Sequence, residues 1–455
     1  MVLILVFFLI WIAASISTAH ASFTLEDERK LGKEFYEKLE KANALLQNER
    51  IASYIQRLGE RVLARSDKAP FDYKFSIIRS SAVNAFATPG GYVYLNQGLI
   101  NLAENEGQLA GVIAHEIAHV NGRHIAQIIE KQKKLSISTL AAILAGAFLG
   151  GSAEVAAAVT SFSVATATAL SLKYSREQEE AADRMGMSYL TSAGYDGRAM
   201  LDFLRIMRRY EYYSNAIPSY FLTHPGTDER TRYIDALLQT TYGGKGETRI
   251  VGNLKRIQTL LLLLGGKTAA GNLPHFQNLL RENPADPDAL YGLAVTQERL
   301  GMIGESMDTF QQALRIAPED SDILRDYGAF LFRLGKLADA VSSLRRAVEN
   351  DAKDADALLY LGRSHEGLGE WTKALEAYRK LEARQPADPD VHYNLAMAYG
   401  KAGDSGDSHY HFGIYFKKKE KKDSSLFHFR AALNLFPKDS ARWREITREI
   451  ESLKP

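Results

Sequence analysis

The stretch Leu109-Ala110-Gly111-Val112-Ile113-Ala114-His115-Glu116-Ile117-Ala118-His119 ends an apolar run on two histidines four residues apart. On a helix, positions four apart lie on one face, so both imidazoles can reach a single ion while Glu116 flanks that ion's open side. Asn105 is a suitable N-cap, and the apolar spacing predicts one long helix from about Glu106 to Lys133.

A catalytic metal of this kind needs a third protein ligand and an open position for water. The chain has no cysteine, so thiolates are excluded, as are disulfides and a cysteine nucleophile. Continuation as H-x-x-G-x-x-H is disfavoured, because Gly122 is followed by Arg123 and His124 and that histidine falls one residue short. The other source is the acidic helical segment Ser175 to Asp183. Glu179 and Asp183 are four apart, so one can ligate while the other accepts a hydrogen bond from the far nitrogen of a ligand imidazole. Spacing alone leaves Glu177, Glu179 and Glu180 open as the ligand.

Working outward from the motif, the segment from Thr24 to Ser66 has the periodicity of two amphipathic helices. Phe71 to Ile78 alternates, and Tyr92-Val93-Tyr94-Leu95 follows the turn residues Thr88-Pro89-Gly90-Gly91, which predicts a small antiparallel sheet. Tyr92 to Asn96 is a candidate edge strand for pairing with an extended substrate, which makes Tyr92, Tyr94 and Asn96 candidate substrate contacts. Arg123 and His124 are candidates for holding an oxyanion. Leu135 to Leu172 is rich in small residues with Glu154 as its one charge, and Gly150-Gly151 can turn one helix into another. A packed helical pair near the site is expected there, with a membrane-inserted hairpin as the sharper alternative and apolar contact with substrate or a membrane surface under either.

Beyond Val251 the sequence repeats every 34 residues, as in the series Pro284, Pro318, Ala352 and Pro386. Small and aromatic positions recur in phase: Leu293, Tyr327 and Leu361; Ala294, Gly328 and Gly362; Gly301, Gly335 and Gly369; Phe310, Leu344 and Tyr378. These units resemble the tetratricopeptide repeat. Residues 253 to 284 look like a degraded first unit. A last unit through Phe412, Gly413, Phe416, Phe429, Ala432 and Pro437 is shifted by half a repeat and carries the charge run Lys417 to Lys422.

The apolar run Val2 to Ile16 followed by Ala19-His20-Ala21 reads as a secretory signal peptide over residues 1–21, though its first residues lack Lys and Arg. Acidic and basic residues nearly cancel to a net charge of +1, so no overall field draws the chain to nucleic acid.

Taken together, His115 to His119 and the E-x-x-A-D run Glu179 to Asp183 resemble the gluzincin peptidases of family M48. The leader and repeats resemble its periplasmic, BepA-like branch. The resemblance implies His115, His119 and Glu179 as ligands of one Zn2+ per chain, with Glu116 as general base and Asp183 beside it as the second catalytic-centre carboxylate. It also implies that His224, in Thr223-His224-Pro225, is a fourth ligand or latch, with Arg230 nearby as a candidate substrate contact. The expected fold is mainly α. An α+β zincin-like peptidase domain with a small antiparallel sheet occupies residues 22–250, and a tetratricopeptide-repeat solenoid occupies 251–455. The implied function is a periplasmic zinc endopeptidase, exported and associated with the outer membrane, in quality control or assembly of outer-membrane proteins. Its expected partners are unfolded or misassembled outer-membrane proteins and, through the repeats, the barrel-assembly machinery. Peripheral membrane contact is expected and nucleic acid is not. The alternative is a chaperone or adaptor whose proteolysis is mostly latched by His224.

Overall fold

The computed structural model describes residues 23–453 apart from 68, 132–134, 150–172, 215–216 and 266–267. The leader of residues 1–21 and most of the proposed hairpin therefore lie outside the described residues. The chain divides after Leu261 into two compact units.

In the first unit, α1 (Leu25–Lys41) starts at a capping box in which Thr24 and Asp27 exchange hydrogen bonds. Helix α2 (Glu49–Leu63) follows, capped by Asn48. The sheet has three strands, β1 (Lys74–Ile78), β2 (Ala85–Thr88) and β3 (Tyr92–Asn96), in the order β1-β3-β2. It is mixed rather than antiparallel: β3 pairs parallel with β1 and antiparallel with β2. The turn at Pro89 to Gly91 joins β3 to β2, a short strand whose Ala-Phe-Ala-Thr sequence gives little alternation, and β1 lies on the far side. Consequently β3 is the central strand and not an edge.

Helix α3 (Gln97–Leu102) leads to α4 (Glu106–Asn121), which is buried along almost its whole length. At its start Glu106 accepts from the backbone of Ile250, Val251 and Gly252 and from the hydroxyls of Tyr54 and Tyr195, so residues 250–252 are tied to this unit. The helix does not run on to Lys133. It stops at Gly122, and Arg123 takes a left-handed conformation (φ 51°) before α5 (His124–Glu130) begins. Arg123 is held there by Glu28 at 2.6 Å and by the carbonyl of Phe23 at 2.8 Å. A Cβ on Gly122 would sit 2.4 Å from His124 Nε2, so a larger residue there would push the His124 ring aside.

Helix α6 (Ile137–Leu149) covers the described part of the small-residue segment. It is packed in the core with Leu31, Phe35, Phe86 and Tyr94, and the rings of Phe148 and Phe86 stack at 4.5 Å. No described helix is long and apolar enough to cross a membrane. Helix α7 (Arg176–Ser192) opens on a capping box between Ser175 and Gln178. Its Gly186 lets it approach the backbone of His115, where a Cβ would be 3.1 Å away. Next come α8 (Arg198–Ser214), α9 (Ser219–Thr223) and α10 (Thr227–Thr240).

Helices α11 (Leu254–Leu264) and α12 (Ala269–Glu282) lead into a series of helical hairpins, α13 (Pro287–Arg299) with α14 (Ile303–Ile316), α15 (Ser321–Arg333) with α16 (Leu337–Asn350), and α17 (Ala355–Gly367) with the helix that follows it. Asp286, Asp320, Asp354 and Asp388, each 34 residues apart, cap the first helix of successive hairpins. Left-handed turns at Gly301, Gly335, Gly369 and Gly403 close the hairpins at the same interval. Helices α18 (Trp371–Arg384), α19 (Pro389–Lys401) and α20 (Ser405–Lys418) therefore keep the phase through the region of apparent offset. The shifted motif belongs to the next pair. Gly413 of α20 lies under Phe429 of α21 (Lys422–Leu433) just as Gly362 lies under Tyr378, so α20 closes one hairpin and opens another.

Candidate metal centre

Helix α4 brings His115 and His119 onto one face, with their Nε2 atoms 2.9 Å apart. Because α7 crosses at Gly186, Glu179 arrives opposite them, with Oε2 3.5 Å from His115 Nε2 and Oε1 3.5 Å from His119 Nε2. Glu180 instead pairs with Arg184 near the surface, and Glu177 is exposed. From the loop after α9, His224 places Nδ1 3.0 Å from Glu179 Oε1 and 3.3 Å from His115 Nε2. All four side chains are buried and their donor atoms lie within 4.8 Å of one another. Tetrahedral zinc with bonds of about 2.0–2.2 Å requires donors about 3.3–3.6 Å apart, a spacing these side chains nearly have.

Around this cluster a second set of groups holds it in place. Asp183 Oδ1 lies 2.8 Å from His115 Nδ1. Arg230, on α10, donates to both Asp183 oxygens at 2.8 Å and reaches Glu179 Oε2 at 2.8 Å. It is only 3% exposed and is clamped between these two carboxylates. The Tyr233 hydroxyl also donates to Asp183. His124 Nδ1 lies 2.9 Å from His119 Nδ1. On an unbroken helix His124 would point about 140° away from His119; the break at Arg123 turns it back. Arg123 is engaged by Glu28 and the Phe23 carbonyl, and His124 by His119 through Nδ1. Tyr174 stacks on His119 at 3.8 Å and Tyr220 on His224 at 4.2 Å, contacts that no spacing in the sequence announces.

Tyr92, Tyr94 and Asn96 are not brought to the cluster. Tyr92 packs on Tyr36, Tyr94 is buried against Phe35 and Phe86, and Asn96 is buried at the end of the central strand. The sheet edge nearest the cluster belongs to β2, whose Ala87 and Thr88 line a narrow cavity with His119, Arg123 and Tyr174.

Residues 47–238 match the profile of Peptidase family M48, and residues 263–325, 331–389 and 363–408 match tetratricopeptide-repeat profiles. The chain carries an M48 peptidase domain followed by tetratricopeptide repeats. Similar proteins include the beta-barrel assembly-enhancing protease of Yersinia pestis, 32% identical over 47% of this chain and 44% of that protein. The same protease of Escherichia coli K12 is 31% identical over the same shares. The mitochondrial metalloendopeptidase OMA1 of Schizosaccharomyces pombe is 30% identical over 41% of this chain and 52% of that one. The alignment thus spans less than half the length of the first two relatives. Solved structures similar to the chain include YrrB, a TPR protein with an unusual peptide-binding site, at 21% identity and TM-score 0.34, covering 38% of this chain and 89% of that chain.

Within the M48 domain, burial would raise both Glu179 and Asp183, but the Arg230 guanidinium and the adjoining imidazoles more than offset it and hold both carboxyls below the usual range. Glu116 differs. Burial raises its pKa, and His224 and His115 counter this only in part. Neither Glu116 oxygen has a hydrogen-bond partner among the described residues, although Oε1 lies 3.6 Å from His224 Nε2. His119 is pulled well below the ordinary histidine value by burial and by His115, and His124 is lowered to about 4 by burial first and His115 second.

Proposed function

We propose that the chain is a zinc-dependent endopeptidase of the bacterial periplasm acting in the assembly or quality control of outer-membrane proteins. The observation that carries this reading is the convergence of His115 Nε2, His119 Nε2 and the Glu179 carboxylate, each imidazole 3.5 Å from one of its oxygens, with Glu116, whose carboxylate has no hydrogen-bond partner among the described residues, beside them. The donor set is imidazole and carboxylate without thiolate, as in hydrolytic zinc centres. The compartment and substrate class rest on the leader pattern and on the names of the relatives.

His115, His119 and Glu179 are the residues that would hold the metal. Bound zinc supplies acidification of a water towards neutrality and polarisation of the scissile carbonyl. Glu116, whose raised pKa suits a base working near neutrality, takes a proton from water at its carboxylate and passes it to the leaving amine. Asp183 and Arg230 orient His115 and Glu179, and His124 orients His119. The edge of β2 away from β3, unpaired among the described strands, is the element we assign to pairing with an extended substrate, in place of β3.

A second reading is favoured by His224, which already supplies a fourth donor. Four protein ligands would leave no position for water, so His224 in this place would latch the site, and repeats that grip clients would act while it is shut. The peptidase reading is tested by Glu116→Gln, assayed on casein or an unfolded barrel with and without chelator. Retained zinc with abolished cleavage is expected. Undiminished cleavage by the variant overturns the role of Glu116, and normal client maturation without cleavage leaves the adaptor reading.

A further inference from the structure

The second unit contains another convergence of metal-ligating side chains, remote in sequence from the M48 motifs. Glu382 comes from α18, His392 from α19 and His411 from α20. The two Nδ1 atoms are 3.1 Å apart, and Glu382 Oε1 lies 3.5 Å from that of His392 and 3.8 Å from that of His411. These three separations bracket the donor spacing of about 3.3 Å for tetrahedral zinc held by nitrogen and oxygen. They also resemble those between His115, His119 and Glu179.

Two further features fit a metal. His392 Nε2 lies 3.3 Å from the carbonyl oxygen of Pro386, so donation of its N–H there leaves the Nδ1 lone pair directed at the cluster. An imidazole held by a backbone carbonyl on its far side is the usual support of a metal ligand. In addition, the two Nδ1 atoms cannot both carry protons at 3.1 Å, so the pair presents at least one lone pair in a nearly buried setting where His392 is 6% and His411 3% exposed. Three cations stand nearby, Arg442, Arg379 and Lys418. Arg442 is matched by Asp407 at 3.1 Å and Glu445 at 2.8 Å, while Arg379 donates to the neutral Tyr399 hydroxyl and keeps its charge. One helix further on, His409 and His428 repeat the same 19-residue spacing with Nδ1 atoms 2.9 Å apart, but no carboxylate joins them among the described residues, so they are not a site.

We propose that Glu382, His392 and His411 form a second divalent-metal site, selective for imidazole-seeking ions such as Zn2+ over Mg2+ or Ca2+, that staples three consecutive repeat helices. The staple joins α18, α19 and α20, where the last regular hairpin gives way to the shared helix α20. Its role is structural and stands apart from the peptidase reading.

The test uses the full-length chain, stripped with chelator, dialysed against buffered Zn2+ and analysed for bound metal. Two ions per chain are expected for the natural sequence, one for His392→Gln/His411→Gln and one for His115→Gln/His119→Gln. His409→Gln should keep both. Since a double histidine change can unsettle the repeats, Glu382→Gln in the His115→Gln/His119→Gln background provides a second reading with Co2+. The visible bands of low-coordinate cobalt should be present with Glu382 and weaken with Gln, as affinity falls by at least about tenfold, a loss seen even for outer-shell partners. One ion per chain that survives loss of His392 and His411 but not of His115 and His119 overturns the proposal. One ion with the opposite dependence supports this site and removes zinc from the peptidase domain. Cobalt bands indifferent to Glu382→Gln overturn it as well.

Discussion

Asp183 Oδ1 lies 2.8 Å from His115 Nδ1, the nitrogen turned away from the metal-facing Nε2. This contact sets the tautomer, because a proton kept on Nδ1 leaves the Nε2 lone pair for the metal. Asp183→Asn keeps the shape and removes the charge. Zinc affinity, measured by competition with a chelating dye, should fall by about 10–100-fold. An unchanged affinity would show that the contact does not orient the ligand.

Arg230 is buried between Asp183 and Glu179 and supplies the positive charge that makes two buried carboxylates tolerable. Arg230→Met keeps the bulk and strands both anions, which should cost about 3–5 kcal/mol in a metal-free chain. Denaturant unfolding followed by a probe in the peptidase domain measures this. A loss below about 1 kcal/mol would mean that the carboxylates simply take up protons instead.

His224 should restrain turnover when it sits 3.3 Å from His115 Nε2. His224→Ala is expected to raise peptidase rate by roughly tenfold for a latch closed about nine-tenths of the time. Lower turnover in a variant with intact zinc content and normal thermal stability would count against the latch.

Metal uptake should depend on pH in a definite direction. Burial lowers the pKa of His115, but Asp183 more than compensates and brings it to about 9 in the metal-free chain. Below that value the imidazole binds a proton that a metal must displace, so zinc affinity should rise with pH up to about 9 and level off above it. In Asp183→Asn the support for the proton is gone and the levelling-off should move to lower pH. Calorimetry in buffers of differing ionisation enthalpy counts the released protons, and zero release at pH 7 would contradict the linkage.

The motif helix and the 34-residue period were legible because both are local: a helix repeats on its own geometry, and Asp286, Asp320, Asp354 and Asp388 cap helices without outside help. Strand pairing was less so. Phe75 and Val93 are partners across a parallel ladder, yet their spacing in the chain is equally compatible with an antiparallel one. The break after Asn121 was also hidden, since Arg123 takes its left-handed conformation only when Glu28 and Phe23, about 100 residues earlier in the chain, receive its side chain. Arg230 read as a candidate substrate contact, since nothing near it in the chain reveals that it is buried between Asp183 and Glu179.

From the sequence alone came the chemistry, that is, two imidazoles one helical turn apart, a base between them, an acidic helix downstream and a repeating helical array. Tertiary structure alone decided which of three glutamates turns inward, which strand lies at the sheet edge, and that Glu382, His392 and His411 meet. Periodic patterns report only which side of an element is apolar, whereas the crossing of two elements depends on packing against residues far along the chain.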